Sequence, residues 1–335
     1  MKAFLETLYQ GKKLNAKDAE KLMLGVANGQ FETAQIAALL SVYNMRMPSS
    51  QELIGFRKAM LSLANPIQFK QTETLDIVGT GGDGKNTFNI STLACFVCAG
   101  AGIPVTKHGN YGVSSVSGSS NVLEALGIRF TNDKKILQEE LNNANITFLH
   151  APLFHPAMKT VAPIRKSLQV RTVFNLLGPL INPSQPKHQI IGVYHPTIGN
   201  LYQQVMATTA TNFSIVHAKD GYDEISLTGD AIIWKKSSKT LFQKYNRAIF
   251  KKHTQKSIHG GTTLKSNATI FTNILNNKAT EAQKEVVLAN AALAIALVKN
   301  LKYQEAVDIA KDSLETGKAK ASLNNLIAVC NEYIR

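Results

Sequence analysis

Residues 75–92 read Leu75-Asp-Ile-Val-Gly79-Thr-Gly81-Gly82-Asp83-Gly84-Lys85-Asn86-Thr87-Phe88-Asn89-Ile90-Ser91-Thr92. A β-rich run enters five closely spaced turn-formers, and a helical pattern begins near Asn89 to Ser91. Glycines let a backbone approach a ligand, and a helix N-terminus offers unpaired N–H groups and a positive dipole end. The stretch therefore predicts a phosphate or pyrophosphate loop between a strand and a helix.

Two other readings of this loop fail on its neighbours. Gly79, Gly81 and Gly84 satisfy G-x-G-x-x-G, but the dinucleotide fold needs an acidic residue about 20 positions on. No Asp or Glu lies between Asp83 and Glu124. Gly79 to Lys85 also satisfies G-x-x-x-x-G-K, yet Asn86 follows where a P-loop needs Ser or Thr for magnesium. A plain turn does not need Asp83, Asn89, Ser91 and Thr92 beside four glycines.

The next β-rich run ends in Lys107-His-Gly-Asn110, followed by Ser114-Ser115 and Gly118-Ser119-Ser120, and a helix opens at Asn121. Two consecutive strands thus end in Gly/Ser/Asn loops, which in an open α/β sheet form the ligand crevice. One loop suits a pyrophosphate and the other a single phosphate, with Lys107 as a point charge between them. A ligand with two phosphate groups around a ribose fits this layout.

Further outward, Leu75–Val78, Ile103–Thr106, Ile146–Leu149, Ile190–Val193 and Phe213–His217 alternate with helix-length segments. This predicts an α/β fold with a mostly parallel sheet flanked by helices. Before about residue 65 the pattern is helical only. Asn15 with Asp18 and Ser49 with Glu52 have capping-box spacing, and Leu22, Met23, Val26, Ile36, Leu39 and Leu40 recur at helical period. The expected division is a small helical domain over 1–67 and an α/β domain over 73–335. Helices from 154–182 are candidates to pack back onto the first domain. Phe4, Leu5, Leu8, Leu40 and Tyr43 exceed what a sixty-residue bundle need bury, which points to a homodimer contact.

The 335 residues are 44% hydrophobic, enough for a sizeable core. Lys and Arg number 37 against 23 Asp and Glu, for a net charge of +14. The excess is densest over Lys235–Lys256, where Leu241, Phe242, Tyr245, Ile249 and Phe250 alternate with lysines. Exposed strands edged with lysine explain this better than a nucleic-acid surface, and no nucleic-acid motif accompanies it. The N-terminus lacks the apolar stretch of a signal peptide, and the longest apolar runs fall short of a membrane span. Three cysteines suit a reducing compartment, so a cytoplasmic protein is expected.

Asp223-Glu224 is a carboxylate doublet after a strand and a Gly-containing turn, an oxygen set suited to magnesium beside a pyrophosphate loop. Cys95 and Cys98 lie among Leu93, Phe96, Val97 and Ala99 with no second cysteine pair, so they read as core and not as a zinc site. No Ser-His-Asp order or nucleophile elbow is present.

GTGGDG-x-x-TFNIST, KHGN-x-x-x-SS-x-x-GS, HPAMK-x-V-x-P-x-R, RT-x-FN-x-LGPL-x-NP and DEISL occur in this order. Together they resemble the anthranilate phosphoribosyltransferases over essentially the whole chain. Pyrimidine nucleoside phosphorylases share only the first motif, loosely. The resemblance implies a nucleoside phosphorylase/phosphoribosyltransferase-like fold that joins phosphoribosyl pyrophosphate to anthranilate with Mg2+. It implies that Gly79, Gly82, Asp83, Thr87, Asn89, Ile90, Ser91 and Thr92 hold the pyrophosphate side, and Lys107, Ser115 and Ser119 the rest of the donor. Asp223, Glu224 and Ser91 would hold metal, and Asn110 with Arg165 the acceptor. Tyr111 stands where many members carry Arg, Ser120-Asn121 where Ala-Asp is usual, and Gln169 where Gly is usual.

Overall fold

The computed structural model describes residues 1–112, 117–242 and 249–333. The chain opens with α1 (Lys2–Tyr9), α2 (Ala16–Ala27), α3 (Thr33–Met45) and α4 (Ser50–Ser62). The caps read from sequence are in place. Asn15 Oδ1 accepts the Asp18 amide at 2.9 Å, and Ser49 with Glu52 closes a reciprocal box. Glu52 does more than cap. Fully buried, its carboxylate accepts from the Leu14 amide, the Tyr43 hydroxyl and both terminal nitrogens of Arg46. Burial pushes its pKa up, but these donors outweigh that and hold it below the usual range.

The sheet strands are β1 (Leu75–Gly79), β2 (Val105–Gly109), β3 (Ile146–His150), β4 (His188–Gly192), β5 (Asn212–Ala218), β6 (Ala231–Trp234) and β7 (Lys239–Leu241). Their order is β3-β2-β1-β4-β5-β6-β7. β1 to β5 are parallel, and β6 and β7 join antiparallel at one edge. The α/β class with its mostly parallel sheet is borne out. β2 starts later than expected, so Lys107 and His108 lie within the strand.

The remaining helices are α5 (Ile90–Gly100), α6 (Ser119–Ala125), α7 (Lys134–Ala144), α8 (Ala151–Phe154), α9 (Met158–Leu168), α10 (Val173–Leu177), α11 (Pro196–Met206), α12 (Leu264–Leu275), α13 (Glu281–Lys299), α14 (Tyr303–Glu315) and α15 (Lys318–Tyr333). α5 is apolar all round because it is sandwiched between β1 and α13, α14 and α15. Cys95 and Cys98 are fully buried there, as core. The opposite face of the sheet packs on α11 and the first helices. One apolar cluster unites Leu22, Leu39, Leu40 and Phe56 with Val161, Ile164, Val173 and Phe174 and with Ile191, Phe213 and Ile215.

Two expectations are corrected. Leu8, Leu40 and Tyr43 are buried within the protomer: α1 packs on α3, Tyr43 lies edge-on to Phe56 of α4, and α9 and α10 pack back onto α2, α3 and α4. Phe4 and Leu5 are half-buried against the same cluster, and the exposed apolar residues nearby are Tyr9, Met45 and Met47. In the basic segment, β7 is an exposed edge strand with Lys239 over the Trp234 ring, but Phe242 and Phe250 turn into the core. Tyr245 lies outside the described residues. Among the described residues, no single helix is long and apolar enough to cross a membrane.

Candidate active site

The parallel strands end on one side, and their loops enclose a cavity of about 510 Å³. That volume suits a small-molecule ligand. β1 delivers the glycine loop to its floor. The Gly81 amide donates to Asp223 Oδ2 at 2.8 Å, so the turn after β5 closes onto the loop after β1. This contact requires bare backbone. A side chain on Gly79 would collide with the Asp223 carboxylate, and one on Gly192, at the end of β4, with the Asp223 carbonyl.

Three carboxylates gather at the loop: Asp83 within it, and Asp223 and Glu224 on the turn after β5. Burial, and then the charge of Asp83, pushes Asp223 up to about 6. Glu224 is held well above the usual range by burial and by Asp223 and Asp83, while Asp83 is raised mainly by burial. Asp83 Oδ2 and Glu224 Oε1 are buried with no hydrogen-bond partner. Among the described residues, no three His, Cys, Asp or Glu side chains close into a metal cage. Unpartnered carboxylate oxygens in an incomplete set fit a hard cation whose shell is finished by water and phosphate oxygens, as magnesium prefers. The residues present therefore fit Mg2+.

Ten of the residues singled out from sequence line the cavity: Gly79, Gly82, Asn89, Ser91, Thr92, Lys107, Asn110, Ser119, Arg165 and Asp223. Four do not. Asp83 belongs to the loop with one carboxylate oxygen buried, and Glu224 is buried next to Asp223. Thr87 lies beside them, its side chain bonding Glu224, and its strand-like bridge partner is His259. Ile90 is buried in the core as the first residue of α5. Ser115 lies outside the described residues.

The second loop is tied to the first. Asn89 Nδ2 donates to the Ser117 carbonyl at 3.0 Å, so this side chain clamps the two loops together. Ser119 Oγ and the Ser120 amide both donate to the Asn110 carbonyl. Asn121 Oδ1 accepts the amides of Gly112 and Gly118, each at 3.0 Å. Tyr111 donates to Glu124 Oε1 at 2.7 Å and packs its ring edge on His150. The buried Lys107 donates to the Ile77 carbonyl at 2.6 Å and faces the cavity from β2.

Another part of the cavity wall carries aromatic rings and a cation. Arg165, half-buried on α9, reaches Asn175 Oδ1 at 3.5 Å and lies 5.7 Å from the Phe174 ring centre. His108 and His155 lie edge-to-face with centroids 5.1 Å apart. Burial holds both pKa values below the usual range, His155 at about 4, so both imidazoles are neutral. Pro179, Ile181 and Met158 supply apolar wall.

The sequence reading missed Arg171, Tyr194, Asn175 and Lys159, all of which line the cavity. Arg171, Asn175 and Lys159 lie within quoted motifs, so their position was visible and their direction was not. Tyr194 follows β4, whose end completes the row of strand termini. Gln169, at the end of α9, is left-handed with φ 53°, the backbone state that explains why Gly is usual there.

A sheet with a helical bundle on one face and this crevice at its strand ends defines a glycosyl transferase. The helical bundle domain of that family matches residues 2–64, and its a/b domain matches residues 71–320. Anthranilate phosphoribosyltransferase of Flavobacterium psychrophilum is 49% identical over 97% of this chain and 98% of its own. The anthranilate phosphoribosyltransferase structure from Thermus thermophilus superposes with a TM-score of 0.91 at 30% identity, covering 98% of this chain and 99% of that one. The Saccharomyces cerevisiae enzyme, solved in complex with PRPP and Mg, gives a TM-score of 0.91 at 26% identity over 98% of this chain and 97% of that one. The chain belongs to the anthranilate phosphoribosyltransferase family.

Proposed function

We propose that this cleft transfers the phosphoribosyl group of phosphoribosyl pyrophosphate to the amine of anthranilate, releasing pyrophosphate, as a step of tryptophan synthesis. One observation supports the residue roles: the glycine loop, Lys107 and Arg165 converge on a single cavity, whose lining also includes His108, His155, Phe174 and Tyr194. The bond from the anomeric carbon to the diphosphate oxygen breaks, and pyrophosphate leaves with the electron pair. The amine nitrogen bonds to that carbon, and its surplus proton passes to solvent.

The chain's part is positioning and charge stabilisation. Gly79, Gly82, Ser91 and Thr92 give the diphosphate donors along the loop and the first turn of α5, with Thr87 and Ile90 supporting them from behind. Lys107, Ser115 and Ser119 serve the remainder of the donor. Asp223, Glu224 and Ser91 would hold magnesium, with the Asp83 charge beside the two carboxylates, and magnesium would supply Lewis-acid neutralisation of the departing diphosphate. Arg165 offers a planar fork to the anthranilate carboxylate, with Asn110 beside the amine. The aromatic amine is already neutral at pH 7, and His108 and His155 are neutral too. No group in the cavity is needed as a strong base. Loss of anthranilate fluorescence on mixing protein, magnesium, phosphoribosyl pyrophosphate and anthranilate tests this reading.

Tyr9 and Met45 are exposed at the ends of α1 and α3, which pack together, and they support a homodimer through this face. Light scattering at micromolar concentration checks it, and a monomer mass rejects it. The three cysteines are free and buried, which suits the reducing cytoplasm.

A further inference from the structure

We infer that Arg171 is a latch on the pyrophosphate loop, a positioning residue that holds Gly82 in place and hands its charge to the donor's diphosphate. The inference rests on the proposed reaction and deepens it on the donor side. Arg171 follows α9, two residues past the left-handed Gln169, and so belongs to the segment joining the acceptor wall to the sheet. Its guanidinium reaches the glycine loop. Nη2 donates to the Gly82 carbonyl, and Cζ lies 4.9 Å from the Tyr194 ring centre. The group fills the space over Gly82: a side chain built there would begin 2.9 Å from Cζ.

Both contacts are to neutral partners, a carbonyl and an aromatic face. Among the described residues Arg171 is in no ion pair, though its charge favours the ionised form of the nearby Asp83, and it lines the cavity. Of the other cations lining it, Lys159 is exposed, and two are held on other partners. Lys107 is buried on the Ile77 carbonyl, and Arg165 rests on Asn175 and Phe174. Arg171 is the guanidinium already seated on the glycine loop. A phosphoryl oxygen is a stronger acceptor than an amide carbonyl, so an arriving diphosphate competes with Gly82 for the guanidinium's donors. The stacked Tyr194 keeps the planar fork oriented during that exchange. The same residue thus orders the loop before the donor arrives and grips the donor afterwards.

Steady-state kinetics and calorimetry with magnesium pyrophosphate test the latch on the full chain. Arg171→Ala is expected to raise the donor KM by about tenfold or more, equivalent to about 1.4 kcal/mol, with the anthranilate KM within about twofold. Arg171→Lys should recover part of the loss, because a point charge remains without the fork, and Arg171→Gln should recover none. Tyr194→Leu should cost the donor KM roughly threefold. A donor KM unchanged in Arg171→Ala overturns the inference. So does an equal rise in both constants, or Lys rescuing no better than Gln. Should the wild type consume no anthranilate, the reaction assignment fails by itself. Pyrophosphate affinity then decides the latch: about tenfold weaker in Arg171→Ala supports it, and equal affinity rejects it.

Discussion

The carboxylate of Asp223 accepts the amide hydrogen of Gly81 at 2.8 Å across 142 residues of sequence. One carboxylate oxygen is thereby committed to the loop that would cradle the diphosphate. The same residue stands beside Glu224, whose Oε1 has no partner. Loop geometry and metal affinity are therefore built into one short turn after β5.

Asp223→Asn keeps an oxygen for the Gly81 amide but halves the negative charge of the doublet. Combined with Glu224→Gln, it should leave the melting transition near wild type and lower magnesium-dependent turnover by roughly 10²–10³-fold. Initial rates across a magnesium titration check this. Undiminished activity at limiting magnesium would remove these residues from metal binding.

Arg165 and Lys107 should separate the two substrates. Arg165→Ala removes a charge-assisted pair of roughly 1.5–3 kcal/mol, so the anthranilate KM should rise by roughly one to two orders of magnitude while the donor KM barely moves. Lys107→Ala should weaken the donor first. It should also lower stability, because the Ile77 carbonyl and the buried Asp76 lose their cation. Equal effects of both variants on both constants would contradict this separation.

Gln169 holds a left-handed conformation at the end of α9, with φ 53° and an exposed side chain. Gly pays no steric penalty there. Gln169→Gly should raise stability by about 0.5–1 kcal/mol in chemical denaturation. A lower midpoint would mean that the glutamine side chain makes a contribution its surroundings do not reveal.

The features legible in the sequence are those set by local chemistry. The glycine loop, the caps at Asn15 and Ser49 and the apolar α5 follow from spacing within one or two turns. What was misread depends on distant partners. Phe242 and Phe250 alternate like exposed edge residues, but Tyr303 of α14 covers Phe242, with ring centroids 4.8 Å apart. Leu40 and Tyr43 look surplus to a bundle, but the apolar cluster they join extends to α9 and α10. Asn89 lines the cavity as its motif suggests, but nothing local shows that its side chain also reaches Ser117, 28 residues on. Arg171 sits in a quoted motif, but nothing local says that it reaches Gly82, 89 residues earlier.

Glu140 gives a pH dependence away from the cleft. It is buried on α7, where it accepts the Thr147 hydroxyl at 2.6 Å, and burial pushes its pKa up to about 7. In the unfolded chain a Glu titrates near about 4.3. The folded pKa is raised, so its stabilisation is full below about pH 4 and is lost as pH rises through about 7. Glu140→Gln should flatten the fall in melting temperature over this window. Identical slopes for variant and wild type would show that Glu140 does not titrate there.

Parallel measurement of both halves of the reaction is the most direct test of function. Protein, magnesium, phosphoribosyl pyrophosphate and anthranilate are mixed, and pyrophosphate release is followed beside anthranilate fluorescence. Transfer in this cleft predicts one pyrophosphate per anthranilate consumed, with both signals abolished by chelating magnesium. Pyrophosphate released without loss of anthranilate, or no release at all, would contradict it.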